Sequence, residues 1–197
     1  GFPFKVFLFE GGNGNYVREK HWHTSIEIFA VLAGSLDFFV NKEEYPLKAG
    51  EQIIINSNEI HSIHAPEKNQ TVVLQIPLKQ FENYFTAQRF IRFRGQEETT
   101  DKKLTSLIKK LYKTYVDRET GYEFKTMSIF YEIMYILIRD YRVTEAKEKE
   151  IRHSRRLDVL SKITTYMREH YKEDLKLSEL AATFGYSDAY LSRMFQK

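Results

Sequence analysis

Two histidines and a carboxylate lie close together near the start of the chain, in the stretch HWHTSIE. His21, His23 and Glu27 are separated by even numbers of residues, so on an extended strand their side chains point to the same face of a sheet. Imidazole nitrogens and a carboxylate oxygen form a ligand set that suits Fe, Mn, Ni or Zn. The spacing therefore predicts a polar site on one face of a sheet, with divalent-metal binding as one use of it. Trp22 has the opposite parity and is expected to pack in the core.

The composition excludes several other kinds of site. The 197 residues include no cysteine, so disulfides, thiolate metal ligands and cysteine nucleophiles are absent. An apolar content of 42% and a charged content of 29% are ordinary for a soluble globular protein. No apolar run approaches the ~18 residues of a membrane span, and the first residues lack the pattern of a signal peptide. We therefore expect a soluble, cytoplasmic protein that does not contact membranes.

Up to about residue 80 the sequence has the texture of β-structure. The segment SLDFFVN alternates, with Leu36, Phe38 and Val40 on one face, while EQIIIN and TVVLQIP are short runs rich in β-branched residues. Turn-forming stretches such as NKEE, KAG and NSNE separate these runs. Short strands with a turn roughly every eight to twelve residues predict an antiparallel barrel or sandwich.

From residue 101 the apolar period changes to that of helices. Apolar residues recur with helical spacing over Leu104–Tyr115, which predicts an amphipathic helix. A second predicted helix, in FKTMSIFYEIMYILIRDYRV, is apolar on nearly all sides over Met127–Ile138. Such a helix must bury more than one face, and a second copy of the chain is the simplest cover for the outer one. The sequence therefore predicts a homodimer through these segments, followed by a charged linker or exposed helical connection over Thr144–Arg156.

The last segment, in LSELAATFGYSDAYLSRMF, predicts two short helices joined by a tight turn. Gly185 stands where the chain must turn through a left-handed conformation that glycine adopts freely. Ala181 is a small residue at the point where the two helices would cross. Ser178 and Ser187 are expected to cap the helices, because a serine oxygen accepts backbone N–H groups at a helix start. The other positions expected to face inward are Leu180, Phe184, Leu191, Met194 and Phe195.

The outward face of the second helix has the chemistry of a major-groove reader. Polar and basic side chains on a helix of this kind can reach base edges in DNA. Residues 151–197 also hold nine Lys or Arg against six Asp or Glu, whereas residues 1–95 and 96–150 are balanced. A local basic surplus favours a nucleic-acid partner. The predicted DNA-binding residues are Ser187, Ser192, Arg193, Gln196 and Lys197.

The stretch LSELAATFGYSDAYLSRMFQK resembles the first helix-turn-helix of the AraC/XylS family of bacterial transcription regulators. LDVLSKITTYMREHYKEDL before it is similar to the family's leading helix, with Leu160, Ile163 and Met167 turned inward. The resemblance extends over the whole chain, because members commonly place a cupin-type barrel and a helical pair before the DNA-binding domain. The family carries two helix-turn-helix units and this sequence holds the first, so we expect an incomplete DNA-binding domain.

The resemblance adds a fourth candidate to the opening site. The three residues of HWHTSIE, together with Gly34, fit the spacing H-x-H-x3-E-x6-G of the first cupin motif, whose histidines and glutamate bind metal. GEQIIINSNEIH resembles the second cupin motif and has His61 in its ligand position. The departures from the second motif are Asn56 and Asn58, in place of Pro and Gly, and Ala65, in place of Asn.

Three interpretations of this site stay open. Its residues bind a functional metal, line a metal-free effector pocket, or are structural groups held by hydrogen bonds. Similar residues recur in many AraC-type sensor barrels, and the resemblance implies a small effector, often a sugar, bound without metal. We therefore expect no resident cofactor, with a divalent metal in the barrel as the alternative. The site residues are His21, His23, Glu27 and His61, both as ligand-binding residues and as metal ligands.

Together these patterns predict an α+β protein in three parts. Residues 1–95 form a cupin-type antiparallel β-barrel, residues 96–150 a helical dimerisation segment and linker, and residues 151–197 an incomplete all-α helix-turn-helix domain. The predicted function is that of a regulator rather than an enzyme: a small metabolite in the barrel shifts how a dimer presents its DNA-binding domains. The expected partners are a double-stranded DNA operator and the effector, with RNA polymerase as a further candidate. The alternative, a metal-dependent cupin oxygenase or isomerase, accounts for residues 1–95 alone.

Overall fold

The computed structural model describes residues 1–11, 16–86, 90–96, 99–145 and 148–196. Contacts divide the chain into two units, Gly1–Ala146 and Lys147–Lys197. Within the described residues, the first unit is made of strands, two long α-helices, a 3₁₀-helix over Leu78–Tyr84 and a π-helical turn, and the second unit is made of three α-helices. None of these helices combines the length and the apolar character needed to cross a membrane. The domain boundaries placed after residues 95 and 150 stay predictions.

The first unit is built on antiparallel β-structure. Its described strands are β1 (Lys5–Glu10), β2 (Tyr16–His21), β3 (Ile26–Ala33), β4 (Ser35–Val40), β5 (Glu43–Lys48), β6 (Gln52–Ile55), β7 (His61–Ala65) and β8 (Gln70–Ile76). They form two four-stranded sheets, with the strand orders β1-β8-β3-β6 and β2-β7-β4-β5. The antiparallel β-structure predicted for this part of the sequence is therefore confirmed.

The sheet that contains β3 is buried on both faces. Phe29 and Val31 of β3 belong to a core cluster that also includes residues of the second sheet, so they face the barrel interior. Ile26 and Ile28 belong to a different cluster, which this sheet shares with the helices. A strand covered on both sides reads as a continuous apolar run, as IEIFAVLA does at most positions. The alternation predicted for SLDFFVN is confirmed, and its buried residues are Leu36, Phe38 and Val40.

Two helices, α1 (Lys102–Asp117) and α2 (Tyr122–Ile136), cover the outer face of this sheet. The Asp101 side chain caps α1 by accepting hydrogen bonds from the second and third backbone N–H groups of the helix, at 2.8 and 3.2 Å. α2 continues into a π-helical turn over Leu137–Tyr141. The amphipathic pattern predicted for α1 is confirmed by its buried residues Leu104, Leu107, Ile108 and Leu111.

α2 is apolar on both of its faces, and the structure separates the two. Ile133 and Leu137 are fully buried in the core of the first unit, on the inner face. The outer face exposes Phe124, Tyr131 and Tyr135, with 84%, 62% and 58% of their surface accessible. The residues available to a second copy of the chain are therefore the aromatic ones, and not the aliphatic residues at the centre of the predicted helix.

The second unit contains α3 (Glu148–Glu169), α4 (Leu177–Phe184) and α5 (Asp188–Phe195). α3 includes most of the charged stretch predicted as a linker or helical connection, so that stretch is helical from Glu148 onward. The small core of this unit brings one residue of α3 together with residues of α4 and α5. Its buried members are Ile163, Leu180, Ala181, Leu191 and Met194.

Candidate functional site

Glu27 lies near the start of β3 and shares its parity with Phe29 and Val31, which face the barrel interior. Its side chain is only 4% exposed. Gln75 of β8 stands opposite Glu27 in the strand register and donates a side-chain hydrogen bond to Glu27 Oε1. This bond occupies one carboxylate oxygen and directs the other, Oε2, toward the remaining residues of the site.

Two histidines approach Glu27 Oε2. The Nε2 atom of His23 lies 2.7 Å from this oxygen, and the Nε2 atom of His61 lies 3.5 Å from it. His61 begins β7 and is fully buried, whereas the side chain of His23, between β2 and β3, is 24% exposed. The 2.7 Å contact of His23 is that of an ion pair with the carboxylate, whereas Nε2 of His61 makes no aligned hydrogen bond within the described residues. Unused bonding capacity is therefore left on His61.

His21, the last residue of β2, completes the group. Its ring centroid lies 4.2 Å from that of His61 and 6.0 Å from that of His23. One potential ligand nitrogen of each histidine lies within 4.8 Å of the other two. The pairing of β2 with β7 shifts register between Arg18 and His21, and such an irregularity changes where the side chains of a strand point. The structure thus brings together the four residues that the sequence predicted, which we call the His/Glu cluster. The prediction that His21, His23 and Glu27 share one strand and one sheet face was wrong, because β2 and β3 belong to different sheets and His23 lies between them.

Backbone carbonyl groups fix the tautomer of all three histidines. In each ring, Nδ1 lies 2.9–3.1 Å from a carbonyl oxygen two residues away in the sequence. A carbonyl oxygen only accepts hydrogen bonds, so Nδ1 carries the hydrogen and the lone pair of a neutral ring is on Nε2. The three pairs are His21 with Glu19, His23 with Ser25, and His61 with Glu59.

These contacts fit two chemical states of the His/Glu cluster. Histidines that bind a metal commonly donate their other ring N–H to a carbonyl group, which fixes the ring and its tautomer. Three such rings and a carboxylate suit Fe, Mn, Ni or Zn. Without a cation, His23 bridges two acceptors, because Nδ1 faces the Ser25 carbonyl and Nε2 faces the Glu27 carboxylate. The cluster therefore fits either a divalent metal or a histidine–carboxylate pair that can bind a polar ligand.

The surroundings shift the pKa values of two members of the cluster. Burial raises the pKa of Glu27, but the contacts with His23 and His61 and the hydrogen bond from Gln75 outweigh burial and hold this pKa well below its usual range. The carboxylate is therefore charged at neutral pH. Burial lowers the pKa of His21, and the neighbouring histidines add to this effect. The cluster thus keeps one negative charge beside at least one neutral ring.

In the second unit, α4 and α5 are joined by a turn with regular capping at both ends. Gly185 has φ of 73°, in the left-handed region, and the N–H of Tyr186 donates to the Ala181 carbonyl at 2.8 Å. Ser187 Oγ accepts the backbone N–H of Tyr190 at 3.3 Å and so caps α5. The turn and the second cap are therefore confirmed as the sequence predicted them.

The predicted DNA-binding residues of α5 lie at the surface of the second unit. Arg193 and Gln196 are exposed, and Ser192 is partly exposed. Arg193 Nε donates to the backbone carbonyl four residues earlier at 3.1 Å, so part of its guanidinium group is bound to its own helix. Ser187 uses its oxygen as the cap of α5, which gives it a structural role. Lys197 lies outside the described residues.

Comparison with known proteins identifies the kinship of the chain. The family model described as AraC-like ligand binding domain matches residues 3–134, which is well over half of the chain. The chain belongs to the AraC-like ligand-binding domain family. The matched span includes all strands described above and the whole His/Glu cluster. The predicted relation to the AraC family is thereby confirmed, and the strands and helices described above confirm the predicted α+β class.

Curated relatives of this AraC-like chain carry the description of uncharacterized HTH-type transcriptional regulators of Staphylococcus aureus. One from strain COL is 21% identical over 174 residues, which is 87% of this chain and 23% of the relative. Another, from strain N315, is 20% identical over 168 residues, which is 84% of this chain and 22% of the relative. The chain thus spans less than a quarter of the length of these relatives.

Two solved structures are similar to parts of the AraC-like chain. The EutQ protein of Clostridium difficile is 18% identical, with a TM-score of 0.34, over 38% of this chain and 56% of the other. A cupin superfamily protein of Desulfitobacterium hafniense is 10% identical, with a TM-score of 0.37, over 39% of this chain and 70% of the other.

Some side chains that the sequence placed in the core are accessible instead. Phe195, Met167 and Trp22 are 46%, 36% and 37% exposed. Phe195 is the last residue of α5, where the short helix ends before a partner can cover the ring. Ser178 is not the cap of α4, because this helix begins one residue earlier, at Leu177, and has no side-chain cap. These predictions were wrong near the ends of elements, since Met167, Ser178 and Phe195 lie close to helix ends and Trp22 lies just after β2.

Two polar residues important to the AraC-like domain were not predicted as functional. Gln75 positions Glu27, and the signal for it was a polar residue at an inward-facing position of the apolar run TVVLQIP. In the sequence, Asn56 is notable only as a departure from the second cupin motif. In the structure it is buried and bonded to the backbone of Phe93.

Proposed function

We propose that this chain is the effector-sensing part, together with a first DNA-binding unit, of a transcription regulator that acts as a dimer on an operator. One observation carries the proposal: an AraC-like ligand-binding domain shares the chain with the capped α4–α5 pair, which presents Ser192, Arg193 and Gln196 at the surface. A helix of this kind can enter the major groove of DNA. The related transcriptional regulators support the same class of function.

The proposed effector site is the His/Glu cluster. It combines a buried carboxylate, paired with His23 at 2.7 Å, with Nε2 of His61, which lacks an aligned hydrogen bond within the described part of the chain. Buried polar groups of this kind favour a ligand that completes their hydrogen bonds, and a sugar has several hydroxyl groups that both donate and accept. A small polar metabolite, with carbohydrate as the leading class, is therefore the proposed effector.

Calorimetry with a panel of monosaccharides tests this site. We expect one sugar to bind, the variant His23→Ala to lose that binding, and the matched control His153→Ala, which changes an exposed histidine of α3, to keep it. A gel shift then compares operator binding with and without the sugar, using protein from the whole reading frame that contains this sequence. Sugar binding that survives His23→Ala would move the effector site elsewhere.

We propose that the outer face of α2 is the dimer interface. Phe124, Tyr131 and Tyr135 form an exposed aromatic row along one helix, and exposed apolar patches of this kind commonly mark protein contacts. Replacing both tyrosines by glutamate should give a folded monomer in light scattering. The control Lys110→Glu changes the charge of an exposed residue of α1 and should leave the dimer intact. A monomeric wild-type protein at high concentration would contradict this interface.

A divalent metal in the His/Glu cluster is a second candidate function. The specific observation in its favour is that three Nδ1–H groups are held by carbonyl oxygens, which leaves the Nε2 lone pairs of neutral rings for a cation. Elemental analysis after dialysis separates the two candidates. A metal-free effector pocket predicts substoichiometric metal, whereas a metal site predicts about one ion per chain, lost in His23→Ala. Tight full occupancy would also favour the enzyme alternative.

A further inference from the structure

Asn56, directly after β6, has a buried side-chain amide. This amide pairs with the backbone of a distant residue, as a neighbouring strand would. Asn56 is 4% exposed, and its side chain makes both possible hydrogen bonds with the backbone of Phe93. The Phe93 N–H donates to Asn56 Oδ1 at 2.7 Å, and Asn56 Nδ2 donates to the Phe93 carbonyl at 3.0 Å. A buried amide that satisfies both groups of one residue holds that backbone in a defined position.

Hydrogen bonds connect Asn56 to the His/Glu cluster through Glu59. The Glu59 carboxylate accepts the backbone N–H of Asn56 at 2.7 Å and the side-chain amide of Gln96 at 2.7 Å. The backbone carbonyl of the same residue accepts Nδ1 of His61 at 2.9 Å. The ring of His61 is thus linked to the Phe93 backbone through two residues, and every link is a hydrogen bond.

Phe93 in turn pairs with the last described stretch of the first unit. It forms an isolated antiparallel bridge with Arg142, immediately after the π-helical turn that follows α2. Two backbone hydrogen bonds flank the bridge. We call the bridge and these two bonds the exit ladder, because the first unit ends shortly afterwards, at Ala146. They are the N–H of Arg94 to the Tyr141 carbonyl, at 2.8 Å, and the N–H of Val143 to the Arg92 carbonyl, at 2.9 Å.

We propose that Asn56 is a positioning residue that couples the His/Glu cluster to the exit ladder. The proposal rests on the ligand-sensing function above. It adds the hydrogen bonds through which a ligand in the cluster would influence the exit ladder. A ligand on Nε2 of His61 fixes the ring, the bond from Nδ1 carries its position to Glu59, and Asn56 carries it to Phe93. Energetic coupling between two sites requires contacts that differ between two states, and these bonds form a continuous set that joins the cluster to the end of the unit.

Other contacts of the same segment keep variants of Asn56 testable. The backbone N–H of Ile54 donates to the Gly95 carbonyl at 3.3 Å, and a Cβ atom on Gly95 would lie 2.2 Å from Cβ of Ile54. The segment therefore packs directly against β6 without help from Asn56. We expect Asn56→Ala to fold, and Asn56→Ser, whose smaller hydroxyl group can still donate or accept a hydrogen bond, serves if it does not.

Hydrogen exchange at the exit ladder, measured by NMR in the 197-residue chain, tests the coupling. The readout is the exchange rate of the Arg94 and Val143 amides in the wild type, in His61→Gln, in Asn56→Ala and in the double variant. Loss of one hydrogen bond along the route should accelerate exchange in each single variant by roughly three- to tenfold. In the double variant, His61→Gln should add almost nothing to Asn56→Ala, because the route is already cut.

His64→Gln is the matched control, since His64 lies on the same strand as His61 but is 40% exposed and faces Asp37. It should leave both amides unchanged. Equal effects of His61→Gln in the wild type and in the Asn56→Ala background would overturn the proposal, and so would an exit ladder that does not respond to His61→Gln at all. Neither effector nor DNA is present in this measurement. A failure of effector binding therefore counts against the proposed function alone, and a failure of the exchange experiment counts against the coupling alone.

Discussion

The His/Glu cluster and the outer face of α5 differ in what holds their side chains in place. Glu27 is buried and bonded by Gln75, and each histidine ring of the cluster is fixed by a carbonyl oxygen. Arg193 bonds to its own helix, and Gln196 is exposed beside it. Preorganised buried groups influence stability and binding together. Exposed groups on a short helix influence binding with little effect on stability.

The two regions should differ most in how their variants change the free energy of unfolding. Glu27→Gln should lower this free energy most. The substitution keeps the shape of the side chain but removes the charge that faces His23 and His61. Removing one partner of a buried charged pair costs about 3 kcal/mol or more. Urea unfolding should show a loss of this order, whereas Glu44→Gln, at an exposed position of β5, should stay within about 0.5 kcal/mol of wild type. A loss below about 1 kcal/mol would mean that the cluster does not support the barrel.

A smaller loss of unfolding free energy is expected from Gly185→Ala, at the turn between α4 and α5. The φ angle of 73° is unfavourable for alanine, while nothing lies within 4 Å of the added Cβ atom in the described part of the chain. The cost is therefore that of the backbone alone, about 1–2 kcal/mol. Gly50→Ala is a matched control in the barrel, because its φ is 92° and its Cβ atom would meet the same open space. Thermal unfolding of both variants should show similar losses; a much larger loss at Gly185 would indicate strain beyond the turn.

The local parts of both regions could be predicted from the sequence. The alternation of Leu36, Phe38 and Val40 indicated a strand, and the small residue, glycine and serine around Gly185 indicated the turn and the cap of α5. These strand and turn signals each lie within one strand or about two turns of helix, where backbone geometry alone relates the residues. The cluster residues could be named from the spacing of two cupin motifs, although they lie in β2, β3, β7 and the loop before β3.

The remaining features depend on contacts between distant parts of the sequence. Gln75 meets Glu27 only because β8 pairs with β3 in one register, 48 residues apart. Asn56 meets Phe93 across 37 residues, by way of a chain segment in which Phe93 makes an isolated bridge rather than a strand. The outer face of α2 could not be separated from the inner one, because both are apolar and only the packed sheet decides which is covered. Register and packing direction are not written in any single stretch of sequence.

Ser187→Ala should have a smaller effect again, because it removes one capping hydrogen bond at the start of α5. Loss of such a cap typically costs about 1 kcal/mol. Ser178→Ala is the matched control, since Ser178 lies within the first turn of α4 and makes no capping bond. It should change unfolding by less than about 0.5 kcal/mol. Equal losses in the two variants would mean that Ser178 does cap α4, as the sequence predicted, and that the helix begins after it rather than at Leu177.

The smallest effect on unfolding is expected for Arg193→Ala. Unlike a change in the His/Glu cluster, this variant should affect binding and leave stability unchanged. The exposed bond from Arg193 Nε to its own helix contributes little, and alanine favours the helix at least as well as arginine, so unfolding should stay within about 0.5 kcal/mol of wild type. Operator binding should nevertheless weaken by about 1–3 kcal/mol and lose its preference at one base pair.

Arg155→Ala, at an exposed position of α3, should instead weaken binding to all DNA sequences alike and reduce its salt dependence, as loss of a phosphate contact would. Gel shifts against single-base variants of the operator, with protein from the whole reading frame, separate the two. If Arg193→Ala binds every variant with unchanged affinity and ranking, α5 does not read DNA through this face.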